Sequence, residues 1–182
     1  FRDLFVAIPF GTRVCHRPDN ETSTQSCIFV VHGGPALRTE YFKEKYDHNN
    51  PFHRPQPDLE IPSDYLNALQ KMPRKLYNGL DDDGKVPYEY ESTYNALWSD
   101  PSSSTRIDRK HGRNQYDKKL VDKFLKAVGC VVLVRSHEPP ENGLALADSH
   151  DGKTITVFSA PKYKSTKPNL GAILTIQAGG TI

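Results

Sequence analysis

Long apolar runs and metal-binding cysteine patterns are both missing from this 182-residue sequence. The longest apolar run covers residues 130–134, far short of the roughly 20 residues that a membrane helix needs, so we expect no membrane span. The 3 cysteines, Cys15, Cys27 and Cys130, form no Cys-x-x-Cys pattern. A small odd number favours a reduced setting, so we expect unpaired cysteines, with Cys27 and Cys130 in the core, and a cytoplasmic or nuclear location.

A strong net charge is also missing. The 24 basic and 22 acidic residues are interspersed and leave a formal charge of +2. Because no basic stripe could follow a phosphate backbone, we expect no nucleic-acid partner. The sequence has no signal-peptide pattern and begins with Phe1 rather than Met, which we interpret as the start of a piece of a longer protein.

Hydrophobic patterning predicts several short strands. Residues 27–31 and 131–134 are apolar runs typical of buried strands. Further strands are predicted over 144–147, 154–158 and 172–176, and Val14 and Cys15 could begin another.

One helix is predicted strongly. Residues 117–128 place a single apolar face every three or four positions, and Gly129 suits the helix end. We also expect a helix over residues 1–8, ended by Pro9. Strands mixed with few helices predict an α/β or α+β fold built on a mixed sheet.

Residues 35–97 are rich in proline and charge and lack periodicity. One short helix is predicted over residues 63–71, with Ser63 as its N-cap. The remainder is interpreted as a surface excursion that adds little to the core.

Two segments share a pattern in which an apolar strand ends near a histidine. Residues 28–31 lead into His32-Gly33-Gly34, and residues 131–134 lead into Arg135-Ser136-His137. Active sites of layered α/β proteins gather at the carboxyl ends of strands, and imidazole is a common metal ligand. Each histidine is therefore either a structural residue or one of a pair of ligands.

Taken in order, several short motifs resemble those of the phosphoprotein phosphatase family, the metal-dependent serine/threonine protein phosphatases. They are His-Gly-Gly at 32–34, Leu-Trp-Ser-Asp-Pro at 97–101, Arg-Ser-His at 135–137, Phe-Ser-Ala-Pro-Lys-Tyr at 158–163 and Asn-x-Gly-Ala at 169–172. The resemblance implies the C-terminal half of a catalytic domain with a calcineurin-like sandwich of mixed β-sheets flanked by helices. It covers most of residues 1–182, apart from residues 16–26 and an atypical inserted segment at about 40–90.

The resemblance also implies a chemistry. Family members hold two divalent metals (manganese, iron or zinc), and a metal-activated water attacks the phosphorus of phosphoserine or phosphothreonine. By this resemblance His32 and His137 bind one metal, and an arginine grips the phosphate bidentately. Counting from the two flanking motifs leaves either Arg109 or Arg113 for that role.

Other site residues follow from the same resemblance. Tyr163 would lie beside the metals and donate a hydrogen bond to phosphate or water. We interpret Trp98 as a core residue. Asp100 orients its loop or supports a metal ligand.

Three family motifs that supply the remaining metal ligands are absent from this sequence. We therefore expect the isolated chain to lack a complete metal pair, to be inactive and to self-associate. Phosphoprotein substrates and regulatory subunits or domains are the implied partners. Two alternatives stay open: another metallophosphoesterase, such as a dinucleoside polyphosphate hydrolase, or a non-catalytic pseudophosphatase that acts as an interaction module.

Overall fold

The computed structural model describes residues 8–16, 26–38, 41–44, 57–72, 86–106 and 114–176. These residues form strands β1 (Gly11–His16), β2 (Ser26–Val31), β3 (Phe42–Glu44), β4 (Pro57–Leu59), β5 (Asp100–Pro101), β6 (Gln115–Tyr116), β7 (Val132–Arg135), β8 (Leu144–Leu146) and β9 (Thr154–Val157). The α-helices in these ranges are α1 (Tyr65–Gln70), α2 (Glu91–Trp98) and α3 (Lys118–Val128).

The main sheet has five strands in the order β1-β2-β7-β9-β8. Strands β2, β7 and β9 are parallel, and β1 and β8 join the two edges in antiparallel orientation. Strands β3 and β4 pair separately, as do β5 and β6. The predicted mixed α/β class is confirmed.

Helix α3 forms for local reasons that the sequence displays. The Asp117 side chain accepts a hydrogen bond from the Leu120 amide at 2.9 Å, and Gly129 ends the helix in the left-handed region with φ of 64°. Its apolar stripe is fully buried against the sheet, where the rings of Phe124 and Phe29 meet edge to face with centroids 5.1 Å apart. Helix α3 therefore packs against β2, the strand that leads to His32.

The segment 35–97 contributes to this core, so its interpretation as a surface excursion is wrong for the described parts. Tyr65 is buried and donates a hydrogen bond to the Ala36 carbonyl at 2.6 Å. The Asn95 side chain donates to the Leu37 carbonyl at 2.8 Å. Helix α1 begins at Tyr65, so Asp64 rather than Ser63 takes the N-cap position.

The cysteine prediction is half right. Cys27 and Cys130 are buried, but Cys15 and Cys27 form a disulfide instead of staying unpaired. The antiparallel register of β1 and β2 sets these two residues opposite each other, with Cα atoms 4.0 Å apart. Pairing between neighbouring strands leaves no spacing pattern in a sequence, and the cellular location stays a prediction.

The strand predicted over residues 172–176 does not form. Its first residue donates one backbone hydrogen bond, from Ala172 to the Phe158 carbonyl at 3.0 Å, and no strand within the described ranges pairs with the rest. Ile173 is 86% exposed. An apolar run becomes a strand only where a neighbour accepts its backbone bonds.

Two further expectations concern helices. Most of the helix predicted over residues 1–8 lies outside the described residues. Over the described ranges, no helix combines the length and apolar character needed to cross a membrane.

Candidate metal centre

The three parallel strands end at one edge of the sheet. His32 follows β2 directly, His137 follows β7 by two residues, and β9 runs into the turn that carries Tyr163. The Ser136 amide donates to the His32 carbonyl at 2.9 Å, which extends the β2–β7 pairing beyond both strands. Backbone pairing thus brings two histidines together although 105 positions separate them.

The two histidine rings meet edge to face at the carboxyl edge of the sheet. The Nδ1 atom of His137 lies 3.3 Å from the Nε2 atom of His32, and the ring centroids are 5.2 Å apart. Burial lowers the pKa of the His32 ring, and the neighbouring His137 and Arg135 lower it further. These causes favour the neutral ring, the form in which an imidazole nitrogen offers its lone pair to a metal.

The spacing of these nitrogens fits one shared divalent ion. Two nitrogens that each lie about 2.0–2.1 Å from an ion are roughly 2.9–3.4 Å apart when their bonds meet at right or tetrahedral angles. No cluster of three or more histidine, cysteine or acidic side chains suited to a metal occurs among the described residues. Further ligands would have to come from outside them.

His137 adopts an unusual backbone conformation. Its φ is 25°, in the left-handed region that a β-carbon disfavours. Such positions cost on the order of 1–3 kcal/mol and cluster at functional sites, where the surrounding structure enforces them. This residue is the one whose Nδ1 meets Nε2 of His32.

A buried guanidinium contacts residues that adjoin both histidines. Arg135, the last residue of β7, is only 1% exposed. Its Nε donates to the Gly33 carbonyl at 2.6 Å, and its Nη1 donates to the Glu138 carboxylate at 3.0 Å. Its Nη2 donates to the Asp100 carboxylate at 2.8 Å, so the one side chain contacts the segments of both histidines and the loop after α2.

The carboxylate of Asp100 lies between Arg135 and His137. The oxygen that pairs with Arg135 also lies 3.9 Å from Nε2 of His137, the nitrogen on the far side of the ring from His32. A carboxylate on that side favours the tautomer with a proton on Nε2, which puts the lone pair on Nδ1, the atom that meets His32.

Trp98 is not a core residue, contrary to the sequence prediction. It is 45% exposed, it stacks on Tyr94, and its ring meets the His137 ring at a centroid distance of 5.1 Å. Trp98 is the last residue of α2, and the chain turns there toward Asp100. The indole at this helix end is therefore partly exposed and lies beside His137.

The glycines after His32 are required by close packing. A β-carbon on Gly33 would lie 2.6 Å from the backbone of Leu97, and one on Gly34 would overlap the Tyr116 ring. The Gly33 amide also donates to the Ala96 carbonyl at 2.6 Å. The chain therefore passes directly against the end of α2, which brings Ser99 and Asp100 to the site.

Tyr163 lies in the turn after β9 and is 68% exposed. Its ring meets Phe158 edge to face, and its amide donates to the Asn169 side chain at 3.0 Å. Asn169 is buried and donates to the Ala160 and Leu170 carbonyls, so it holds this turn in shape. The role of Tyr163 beside the metals stays a prediction.

Both candidate phosphate arginines, Arg109 and Arg113, lie outside the described residues. The segment that carries them lies between Arg106 and Gln115, and these two residues form a backbone bridge. Its two ends are thereby fixed beside the β5–β6 pair, next to Asp100. The choice between the two arginines stays a prediction.

Sequence reasoning missed Arg135 and Glu138 as site residues. Arg135 occupies a strand position that the apolar pattern predicts to be buried, and a charged residue there is a signal of a paired role. Glu138 offered no comparable signal, because exposed glutamates are common.

Comparisons with known proteins find serine/threonine-protein phosphatases. The chain is 34% identical over 186 residues to a probable serine/threonine-protein phosphatase from Encephalitozoon cuniculi, which covers 98% of this chain and 30% of that protein. It is 26% identical over 192 residues to human serine/threonine-protein phosphatase with EF-hands 1, covering 98% of this chain and 28% of that protein. Serine/threonine-protein phosphatase T from Trypanosoma brucei brucei is 28% identical over 182 residues, covering 98% and 29%.

A protein serine/threonine phosphatase from Saccharomyces cerevisiae superimposes on 79% of this chain and 35% of its own, with a TM-score of 0.49 and 22% identity. No family model matches the sequence.

Fold and site together define a mixed α/β protein with paired strand-end histidines suited to a divalent metal. The chain is a relative of the serine/threonine protein phosphatases over nearly its whole length, as the motifs predicted. It spans less than a third of the length of each of these three relatives.

Proposed function

We propose that this chain is part of a metal-dependent serine/threonine protein phosphatase and supplies two ligands of its metal pair. The observation that carries the proposal is the 3.3 Å approach of the His32 and His137 ring nitrogens at the carboxyl ends of adjacent parallel strands. Two converging imidazoles, one of them on a residue with φ in the left-handed region, suit a shared metal ion, and a protein that only bound partners would not require them.

In this proposal residues 1–182 are part of a catalytic domain, with residues of about 40–90 as an insertion. Two divalent ions (manganese, iron or zinc) supply a nucleophilic water at neutral pH. His32 and His137 hold one ion, and Asp100 keeps the proton of His137 on Nε2. Arg109 or Arg113 binds the phosphate, and Tyr163 donates a hydrogen bond to it or to water.

The substrates in this proposal are phosphoproteins, and regulatory subunits or domains direct the enzyme to them. Relatives named as serine/threonine phosphatases favour phosphoserine and phosphothreonine esters over other phosphate compounds.

The test is hydrolysis by the full-length protein with added Mn²⁺. We expect release of phosphate from phosphoserine and phosphothreonine peptides and loss of that activity with a chelator. His137→Ala should lower kcat/KM by more than about 100-fold, because loss of a ligand exceeds the 10–100-fold effect of losing a residue that only supports one. The matched control is His16→Ala, which removes a histidine from the far end of β1 and should leave activity unchanged.

Activity that survives both the chelator and His137→Ala would contradict the proposal. Hydrolysis of dinucleoside polyphosphates without hydrolysis of phosphopeptides would assign the site to another metallophosphoesterase activity. Metal binding without hydrolysis of either substrate would indicate a pseudophosphatase.

A further inference from the structure

We infer that Arg135 is a positioning residue that sets the relative placement of the His32 and His137 rings, so that both can reach one divalent ion. The inference rests on the proposed function because it concerns the same site. It assigns Arg135 no contact with the substrate or the ion, since the guanidinium is buried and donates to protein oxygens.

The His32 side of the site is held through the next residue. The Arg135 Nε donates to the Gly33 carbonyl at 2.6 Å, and the Tyr116 hydroxyl donates to the same oxygen at 3.3 Å. Gly33 packs so closely on the end of α2 that a β-carbon would lie 2.6 Å from the Leu97 backbone, and its amide donates to the Ala96 carbonyl at 2.6 Å. The peptide that follows His32 is thereby fixed relative to Arg135.

The His137 side is held through two carboxylates. Arg135 Nη2 lies 2.8 Å from the Asp100 oxygen that faces His137 Nε2, and Nη1 lies 3.0 Å from Glu138, the residue after His137. A second, longer bond of 3.4 Å joins Nη2 to the Ser99 carbonyl. Three segments that are distant in sequence therefore meet on one rigid planar group.

Arginine suits this role better than any other side chain. Its guanidinium donates in several fixed directions within one plane, whereas lysine has a single nitrogen on a flexible stem. One ammonium could not reach the Gly33 carbonyl and both carboxylates together. Replacing Arg135 by lysine therefore keeps the charge but releases at least one of the histidine segments.

Stability alone does not explain a buried ion pair at this position. Well-packed apolar side chains often replace buried ion pairs with no loss of stability. The carboxyl end of β7 lies among apolar residues such as Val134 and Leu133, which are buried in the same strand. A requirement for fixed geometry at the adjacent histidines explains why this position holds a cation although a buried apolar side chain could replace it.

The test measures metal binding rather than turnover, in the full-length protein. Titration with Mn²⁺ gives the dissociation constant, and the visible absorption of bound Co²⁺ reports the ligand geometry. We expect Arg135→Lys to weaken Mn²⁺ binding by about 10–100-fold, the usual effect of losing a residue that orients a ligand. We also expect it to alter the Co²⁺ spectrum.

Arg13→Lys is the matched control, because Arg13 donates to the Val128 carbonyl at 3.2 Å and contacts none of the three site segments. It should lose one backbone hydrogen bond and leave both metal readouts unchanged. Glu138→Gln is the second variant. Its side chain is 54% exposed, so the variant will fold, and it should weaken Mn²⁺ binding less than Arg135→Lys does.

The outcomes separate this inference from the proposed function. A wild-type protein that binds no Mn²⁺ would overturn both. A wild type that binds Mn²⁺, with folded Arg135→Lys and Glu138→Gln variants of equal affinity, would overturn the positioning role alone. If Arg135→Lys does not fold, unchanged affinity in Glu138→Gln decides against the inference, and weakened affinity supports it.

Discussion

Strand β2 is joined to its surroundings by a disulfide near its amino end and by a buried guanidinium at its carboxyl end. At the amino end Cys27 is bonded to Cys15, and its carbonyl accepts the Val131 amide at 2.8 Å. At the carboxyl end the Gly33 carbonyl accepts from Arg135. The amino end is a covalent and apolar anchor, whereas the carboxyl end is a polar network whose members depend on one another.

This difference separates stability from site geometry. A covalent bond between neighbouring strands restricts the unfolded chain but sets no angle between the histidine rings. A guanidinium with several partners sets angles, but it is costly to bury and fails when one partner is removed. Substitutions at the amino end should therefore change stability alone, and substitutions at the carboxyl end should change stability and metal binding together.

The largest expected effect comes from removing one partner of the buried cation. Asp100→Ala should lower the free energy of unfolding by about 3–5 kcal/mol, because it leaves Arg135 without its buried counter-ion. Glu138→Ala removes the half-exposed partner of the same guanidinium and should cost no more than about 1 kcal/mol. Urea denaturation of both variants gives the two values, and equal losses would contradict the importance of burial.

Opening the disulfide should have the next largest effect. Replacing both Cys15 and Cys27 by alanine should cost about 3 kcal/mol, the chain-entropy value for a loop of this size. The sequence separation of the two cysteines is 12. Thermal or urea unfolding measures the loss, and Mn²⁺ affinity should not change; weakened binding would show that the two ends of β2 are coupled.

The free energy of unfolding should also depend on pH through the buried thiol of Cys130. Burial raises the pKa of the Cys130 thiol to about 11, so the folded state favours the protonated form. The resulting stability is complete below the ordinary thiol pKa near 9 and is lost as the pH rises from about 9 to about 11. Unfolding midpoints of wild type and Cys130→Ala across this range test the effect. A difference between them that did not change with pH would be evidence against it.

The smallest effect concerns backbone strain at the carboxyl edge. Lys162 has φ of 57° in the turn that leads to Tyr163, a conformation that asparagine adopts more readily than lysine. Lys162→Asn should raise the free energy of unfolding by up to about 1 kcal/mol. The matching change at His137 would relieve similar strain but remove a proposed ligand. A destabilised Lys162→Asn protein would indicate that the lysine side chain has a role of its own.

Much of the fold could be predicted because its signals are local. The apolar stripe and the terminal glycine of helix α3 lie within one short segment, and both predictions were confirmed, whereas Asp117, predicted as the first helical residue, is the N-cap. The strand-then-histidine pattern predicted that His32 and His137 would meet, because parallel neighbours end at one edge of a sheet. Their spacing follows from the pairing of β2 with β7.

The remaining features depend on contacts between distant segments. The partnership of Cys15 with Cys27 depends on strand register, and the exposure of Trp98 depends on where α2 ends. The partners of Arg135 come from positions 33, 99, 100 and 138, and no spacing rule brings them together. An apolar pattern at 172–176 predicted a strand, yet it could not show that no described strand pairs with it.

The pairing of β2 with β7 also has a consequence for how the protein folds. The two histidine rings meet across a separation of 105 positions, so a long loop must close before either strand gains a hydrogen bond from the other. Sheets of this kind form slowly, because the entropy of loop closure is lost before the distant contacts offset it. On the ribosome the site cannot exist until His137 has emerged. An ion can therefore be held by both rings only after β2 and β7 have been synthesised and paired.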